Sequence, residues 1–236
     1  METAGLAGLS RQSGLMREMD VVAQNIANAN TPGYRREGII FSEYVTRIGE
    51  GPSLSLAYGN ARHTDQTQAG LTQTGGTFDL AIQGDGFFRV ATPDGDGLTR
   101  AGVFLVSAEG VLVTPDGHQL LDAGGAPVSI PPNVQQIAVA LDGAVTADGV
   151  PIAQIGLWQA VDPALVTRQQ GTMFRADDVE PVDGGTIVQG FLEDSNVSVM
   201  SEMARMIAVQ RAYELGQSFL EAEHERQKTA IQIMGR

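Results

Sequence analysis

The side chains best equipped for chemistry in this 236-residue chain are its acidic residues beside glycines and its three histidines. "GDG" at Gly84–Gly86 and "DGDG" at Asp94–Gly97 set carboxylates into flexible backbone, as calcium loops do. An EF-hand loop needs ligands at alternating positions and a closing Glu, and neither run has them. The Gly-rich nonapeptide repeat of calcium β-rolls is also missing. Both runs therefore read as hairpin turns. His63, His118 and His224 are far apart and form no HExxH pattern, so they imply no zinc centre. With no cysteine, disulfides, thiolate chemistry and zinc–thiolate sites are excluded. No Walker loop, G-x-S-x-G elbow or dinucleotide fingerprint occurs. The expectation is a non-enzyme with no catalytic residue, metal, cofactor or small-molecule substrate.

A different polar cluster stands out. "VVAQNIANANTPGYRRE", Val21–Glu37, begins as a helix with an apolar face and then places Asn25, Asn28 and Asn30 within six residues, just before Pro32 and Gly33. Asparagine suits helix ends better than helix interiors, because its amide competes for backbone hydrogen bonds. Asn28 or Asn30 in the left-handed conformation would end the helix, with Pro32 blocking its continuation. Asn25 lies a turn earlier, beside Gln24, where capping does not explain it. An amide donates and accepts at once, so the second reading is that these residues face another chain in a packed helical array.

The elements that must position such contacts are legible from charge and proline. The net charge is −13, and all of it sits in the middle: residues 49–196 carry five basic and eighteen acidic side chains, whereas 1–48 and 197–236 each carry five of both. That balance argues against nucleic acid, whose phosphates demand Lys/Arg patches. It also suggests neutral ends that pack with copies of themselves and a hydrated acidic centre. All ten prolines lie between Pro32 and Pro181, which leaves both ends free to be long helices. Near the N-terminus, Leu15, Met19, Val22 and Ile26 form one apolar stripe. Near the C-terminus, Val199, Met203, Met206, Tyr213, Leu220, Ile231 and Met234 fall on a 4-3-4-3 ladder whose gaps hold Gln210, Gln217, His224 and Gln227. Such spacing is the seam of a coiled coil or a helix pair. Ala208, Ala212, Leu215, Phe219 and Ala222 flank it, and Asp194, Ser195 and Asn196 offer an N-cap.

Between the ends, short runs rich in β-branched and aromatic residues ("TFDLAI", "GFFRVAT", "IAVALDG", "TIVQGFLE") alternate with acidic–glycine pairs such as Asp116-Gly117, Asp142-Gly143 and Asp148-Gly149. These are hairpin signals. The fold class expected is α+β: N- and C-terminal helices pairing as a coiled coil, with a central all-β domain and an extended connector. The expected divisions are a helix in 1–33, an extended connector in 34–76 with little core of its own, a β-rich domain in 77–193 and a helix in 194–236. No segment approaches the ~18 apolar residues of a membrane helix. The first twenty residues lack a secretory signal, so the chain is expected to stay inside or to leave by a route that reads no cleavable leader.

"DVVAQNIANANTPGYRRE" resembles the N-terminal signature of the bacterial flagellar basal-body rod protein family, the rod and hook axial subunits: an ANNLAN-type helix end followed by N-T-x-G-[FY]-[KR]. Thr31, Gly33 and Tyr34 occupy that motif, and Gln24 stands where many members have Asn. "DSNVSVMSEMARMIAVQRAYEL" is similar to the family's C-terminal segment, with Asn196, Gln210 and Arg211 at motif positions. "GDGFFRV" and "LTRAGVF…GVLVTPDGHQLL" resemble the start of the rod β domain, with Leu98 and Val103 departing from the usual Tyr and Asn. The opening "GLSRQSGLMREMDVVAQNIAN" looks most like the proximal-rod type. The resemblance implies a structural subunit in the periplasmic rod, stacked helically with itself and other rod subunits around an export channel. It implies passage through the flagellar type III export apparatus. Contacts to neighbours would come from Leu15, Met19, Val22, Asn25, Ile26, Asn28 and Asn30 on the first helix and Val199, Met203, Met206, Gln210, Tyr213 and Leu220 on the second. A distal-rod or hook-type subunit, or a capping or scaffolding protein of the same export pathway, are the alternatives.

Overall fold

The computed structural model describes residues 2–46, 54–182 and 184–234. The chain is α+β, with one long helix near each end and β-structure between. It divides into two compact units. The first comprises 1–29, 36–66 and 197–236, and the second 30–35 and 67–196.

In the first unit the proline-free ends form helix α1, Glu2–Ala27, and helix α2, Val199–Met234. They pack antiparallel. Asn25 meets Glu202, Glu18 meets Arg205 at 2.6 Å, and a methyl group on Gly8 would lie 2.8 Å from Leu220 Cδ2. Residues 34–76 were expected to be an extended connector. About half of that stretch instead pairs as two antiparallel strands, β1 (Glu37–Thr46) with β2 (Leu54–Thr64), bulged between Ile40 and Phe41. The hairpin lies on α1, with the Phe41 ring filling the space above Gly14. A hairpin supplies the lid that a lone amphipathic helix lacks.

Both helix ends differ from the sequence expectation. At the end of α1, the backbone N–H of Asn28 bonds the carbonyls of Gln24 and Asn25, and its side-chain amide returns to the Gln24 carbonyl at 2.9 Å. Neither Asn28 nor Asn30 takes a positive φ; Gly33 does, at 70°. Helix α2 is preceded not by a cap from residues 194–196 but by Ser198. The Ser198 carbonyl accepts from Glu202 N at 3.0 Å and its hydroxyl from Ser201 N at 3.5 Å.

The second unit is β-rich. A seven-stranded sheet runs in the order Thr167–Arg168, Met173–Arg175, Gly95–Thr99, Phe88–Thr92, Gln119–Leu120, Leu112–Val113, Leu105–Val106. A three-stranded sheet holds Ile137–Val139, Ala144–Ala147 and Val150–Gln154, and Leu80–Gln83 pairs with Thr186–Gln189. Ile82, Phe88, Val90, Leu120, Val145 and Ile187 form the centre of the core, each 1% exposed or less. The acidic–glycine pairs turn the hairpins as expected. Asp148 and Gly149 sit at φ 49° and 80° in a two-residue loop joining Ala144–Ala147 to Val150–Gln154. Two positive φ values in such a loop match the twist of the flanking strands.

Candidate functional site

The two helices carry the residues the sequence singled out, and the structure sorts them into two groups. Leu15, Val22 and Asn25 are buried inside the first unit, and Met19, Ile26 and Asn28 are partly buried, with Asn30 exposed. On α2 the face against α1 runs Glu202, Met206, Val209, Tyr213, Gly216, Leu220, Glu223, Gln227, all buried or partly so. That is a 4-3-4-3 ladder, but it shares only Met206, Tyr213, Leu220 and Gln227 with the ladder drawn from apolar spacing. The other rung is shifted back by one residue. Met203 is 52% exposed and Glu202, next to it, 1%. Val199, Gln210, Arg211, Gln217 and His224 are exposed as well, and Ile231 and Met234 lie outside the described side chains.

What turns the helix is a polar cluster. Asn25 has no exposed surface. Its amide donates to the Glu37 carbonyl at 2.8 Å and to Glu202 Oε2 at 3.1 Å, and its oxygen accepts from Glu37 N at 3.0 Å. Arg36 Nε binds the other Glu202 oxygen at 2.6 Å, and the Glu37 carboxylate takes Arg62 at 3.3 Å. Asn25 thus ties α1 to α2 and to the start of β1 within one unit. Burying Glu202 is tolerable because both of its oxygens are matched. Apolar periodicity alone cannot find such a rung.

The second unit has its own cluster. Arg35 and Glu193 have fully buried side chains 2.6 Å apart, and Arg100 reaches the other Glu193 oxygen at 3.2 Å. Burial holds the Arg100 guanidinium below its usual range, with Glu193 pulling the other way. Arg35 Nη1 also donates to the Thr67 carbonyl at 2.8 Å, and Arg100 Nη2 to that of Gly84 at 2.8 Å. Three of the motif residues, Gly33, Tyr34 and Asn196, meet here, whereas Gln210 and Arg211 lie exposed on α2. Tyr34 is 2% exposed, and Gly33 N donates to the Glu193 carbonyl at 2.8 Å. Asn196 N donates to the Tyr34 carbonyl, and its side chain to the Thr67 carbonyl at 3.0 Å. Thr31 is partly buried.

Flanking the seam and away from it, α1 and α2 present apolar side chains to solvent: Leu9 57% and Met16 54% exposed, with Met200 80%, Ile207 50%, Leu215 71% and Phe219 52%. Gly8, Gln12, Leu15, Ala212, Leu215 and Phe219 line an open groove of about 550 Å³ between the helices. Small residues floor it and large apolar ones wall it, the form that accepts side chains from a packed helix. Among the described residues no cluster of three or more His, Asp or Glu side chains that could hold a metal ion is present, and no helix is long and apolar enough to cross a membrane.

Comparison with known proteins matches this layout segment by segment. Residues 6–35 match the flagella basal body rod protein family, 81–147 the flagellar hook protein FlgE/F/G D1 domain, and 188–233 the flagellar basal body rod FlgEFG protein C-terminal family. The chain is 36% identical to the flagellar basal-body rod protein FlgF of Caulobacter vibrioides, across 100% of this chain and 99% of that one. It is 35% identical to FlgF of Mesorhizobium japonicum over the same shares, and 32% to the rod protein FlgG of Bacillus subtilis over 93% and 94%. On full-length identity of that order and matches at both helices and the β region, the chain belongs to the flagellar basal-body rod protein family, with its FlgF-type members.

Proposed function

We propose that this chain is a structural subunit of the proximal flagellar rod, assembled helically with copies of itself and with other axial proteins. The paired helices form the inner layer as a coiled coil around the export channel. Torque passes between subunits through their packed helices, and the role is mechanical instead of catalytic. The subunit leaves the cytoplasm through the flagellar type III export apparatus and reaches the periplasmic rod without spanning a membrane itself.

The observation that carries this reading is the apolar outer face of the helices: Leu9, Met16, Met200, Met203, Ile207, Leu215 and Phe219 exposed beside a groove with a glycine–alanine floor. Neighbouring subunits cover that face, with Val199, Met203 and Gln210 as contacts. Heterologous contacts of this kind propagate a helix of subunits instead of closing a dimer. Coverage of the whole chain by FlgF relatives, against 88–93% for FlgG of Bacillus subtilis and Agrobacterium fabrum, favours the proximal over the distal rod. The test is a density map of purified basal bodies in which this chain is traced. Density in the proximal rod is the expected result; density confined to the distal rod or hook, or absence from the basal body, overturns the reading.

A further inference from the structure

The passage Tyr34–Arg35, which follows α1 and precedes β1, is gripped on two sides within the β-rich unit. On one side the Arg35 side chain enters the Glu193–Arg100 cluster. On the other stands Arg168, on the edge strand Thr167–Arg168 directly across from Phe174. The Arg168 guanidinium carbon lies 4.4 Å from the Tyr34 ring centre and 4.7 Å from that of Phe174, so the cation stacks on both rings. Its Nη2 donates to the Arg35 carbonyl and its Nη1 to that of Gly171. Phe174 meets Phe87 edge-on at 5.8 Å, and Phe87 lies under Arg100 at 5.2 Å. The contacts close on themselves: Tyr34, Arg168, Phe174, Phe87, Arg100, Glu193 and back to Arg35.

We propose that Arg168 is a positioning residue for helix pairing. It clamps Tyr34–Arg35 so that this passage lies in fixed register beside Glu193–Asn196, the passage that precedes α2. The register is carried by two backbone bonds, Gly33 N to the Glu193 carbonyl and Asn196 N to the Tyr34 carbonyl. Chain continuity then limits which turn of α1 can meet which turn of α2. A planar cation suits the task, because it stacks on two rings and donates in its own plane at once; an ammonium does not. Arg168 lies outside all three stretches that match family models, 6–35, 81–147 and 188–233, yet it closes on a residue inside the first. No motif points to it, and only the fold brings it there.

The chain has no cysteine, so one engineered pair reports helix register cleanly. Gln12→Cys with Gly216→Cys is such a pair, since a methyl group on Gly216 would lie 3.6 Å from Gln12 Cγ. Arg168→Ala is expected to slow formation of this disulfide and to speed amide exchange at Gly33 and Asn196, each by about tenfold, the loss of a two-ring stack. The amides of Ile82 and Val90 keep their protection. Arg168→Lys, which retains the charge at a partly exposed position, is expected to behave like Arg168→Ala. It carries the test if the alanine variant fails to melt cooperatively. Unchanged exchange at Gly33 and Asn196, or change confined to residues 169–174, overturns the proposal and leaves Arg168 a staple for its own turn. A lysine variant that behaves like the parent overturns the requirement for a planar cation.

Discussion

Asn25 and Glu202 stand 177 residues apart in sequence, and their side chains meet at 3.1 Å with no more than 1% of either residue exposed. The pair fixes the rotation of α2 about its axis. With Glu202 turned inward to Asn25 and Arg36, Met203 must face outward.

Asn25→Ala removes partners from the Glu37 N–H, the Glu37 carbonyl and one Glu202 oxygen at once. Each buried group left unsatisfied costs about 1–3 kcal/mol, so a loss of roughly 2–4 kcal/mol is expected. Asn25→Asp should cost at least as much, because it sets a second carboxylate against Glu202 and cannot donate to it. Urea unfolding followed by far-ultraviolet dichroism measures both. An Asp variant as stable as the parent would show that the amide is not the link between the helices.

Glu193→Gln tests the buried cluster of the other unit. Two guanidiniums, Arg35 and Arg100, then share a neutral amide in a dry site. Breaking a buried pair by removing one partner costs about 3–5 kcal/mol. Replacing all three by apolar residues should cost far less, because no charge is then stranded. Thermal melting of the single and triple variants decides it, and a neutral single substitution would refute the assignment.

Much of this architecture is legible in the residues, for reasons that particular positions make plain. A long helix near each end of the chain follows from proline placement, and the hairpins from Asp148-Gly149 and its counterparts, because those signals are local. The one-residue rotation of the α2 ladder is not legible. It depends on Glu202 and Glu223, which apolar spacing counts as solvent positions and which are 1% and 7% exposed. The β1–β2 hairpin was missed because the partner of Glu37–Thr64 is α1, which local alternation does not display. The family motif marks Gly33, Tyr34 and Asn196, which meet in the fold, but not Arg100, Arg168 and Glu193 around them.

Gly33 and Gly149 make a controlled comparison. Both have positive φ, 70° and 80°. A methyl group on Gly149 meets nothing within 4 Å, whereas on Gly33 it would lie 2.3 Å from the backbone nitrogen of Ala101. Gly149→Ala should therefore cost only the backbone strain, about 1 kcal/mol. Gly33→Ala must also push two backbone segments apart, and a cost of about 3 kcal/mol or more is expected. Equal melting temperatures for the two variants would contradict the close approach at Gly33.

The last prediction separates the two faces of α2 by one turn. Met206 is partly buried in the seam with α1, and Met203 is 52% exposed on the outer face. Met206→Asp buries a carboxylate against apolar neighbours with no cation assigned to it, so it should lower monomer stability by about 2 kcal/mol or more. Met203→Asp places the same charge in water and should shift stability by no more than about 0.5 kcal/mol. Assembly should respond differently. If neighbouring subunits cover the stripe of Met200, Met203 and Ile207, burying each large apolar side chain there is worth about 1.5–3 kcal/mol, and an aspartate in its midst opposes that. Cells carrying Met203→Asp as their only copy should then export a folded subunit and fail to swim. Chemical denaturation of the purified variants gives the first arm, and motility with recovery of the subunit in basal bodies gives the second. Normal swimming with Met203→Asp, beside a stable monomer, would show that the outer face of α2 is not where the subunit is held.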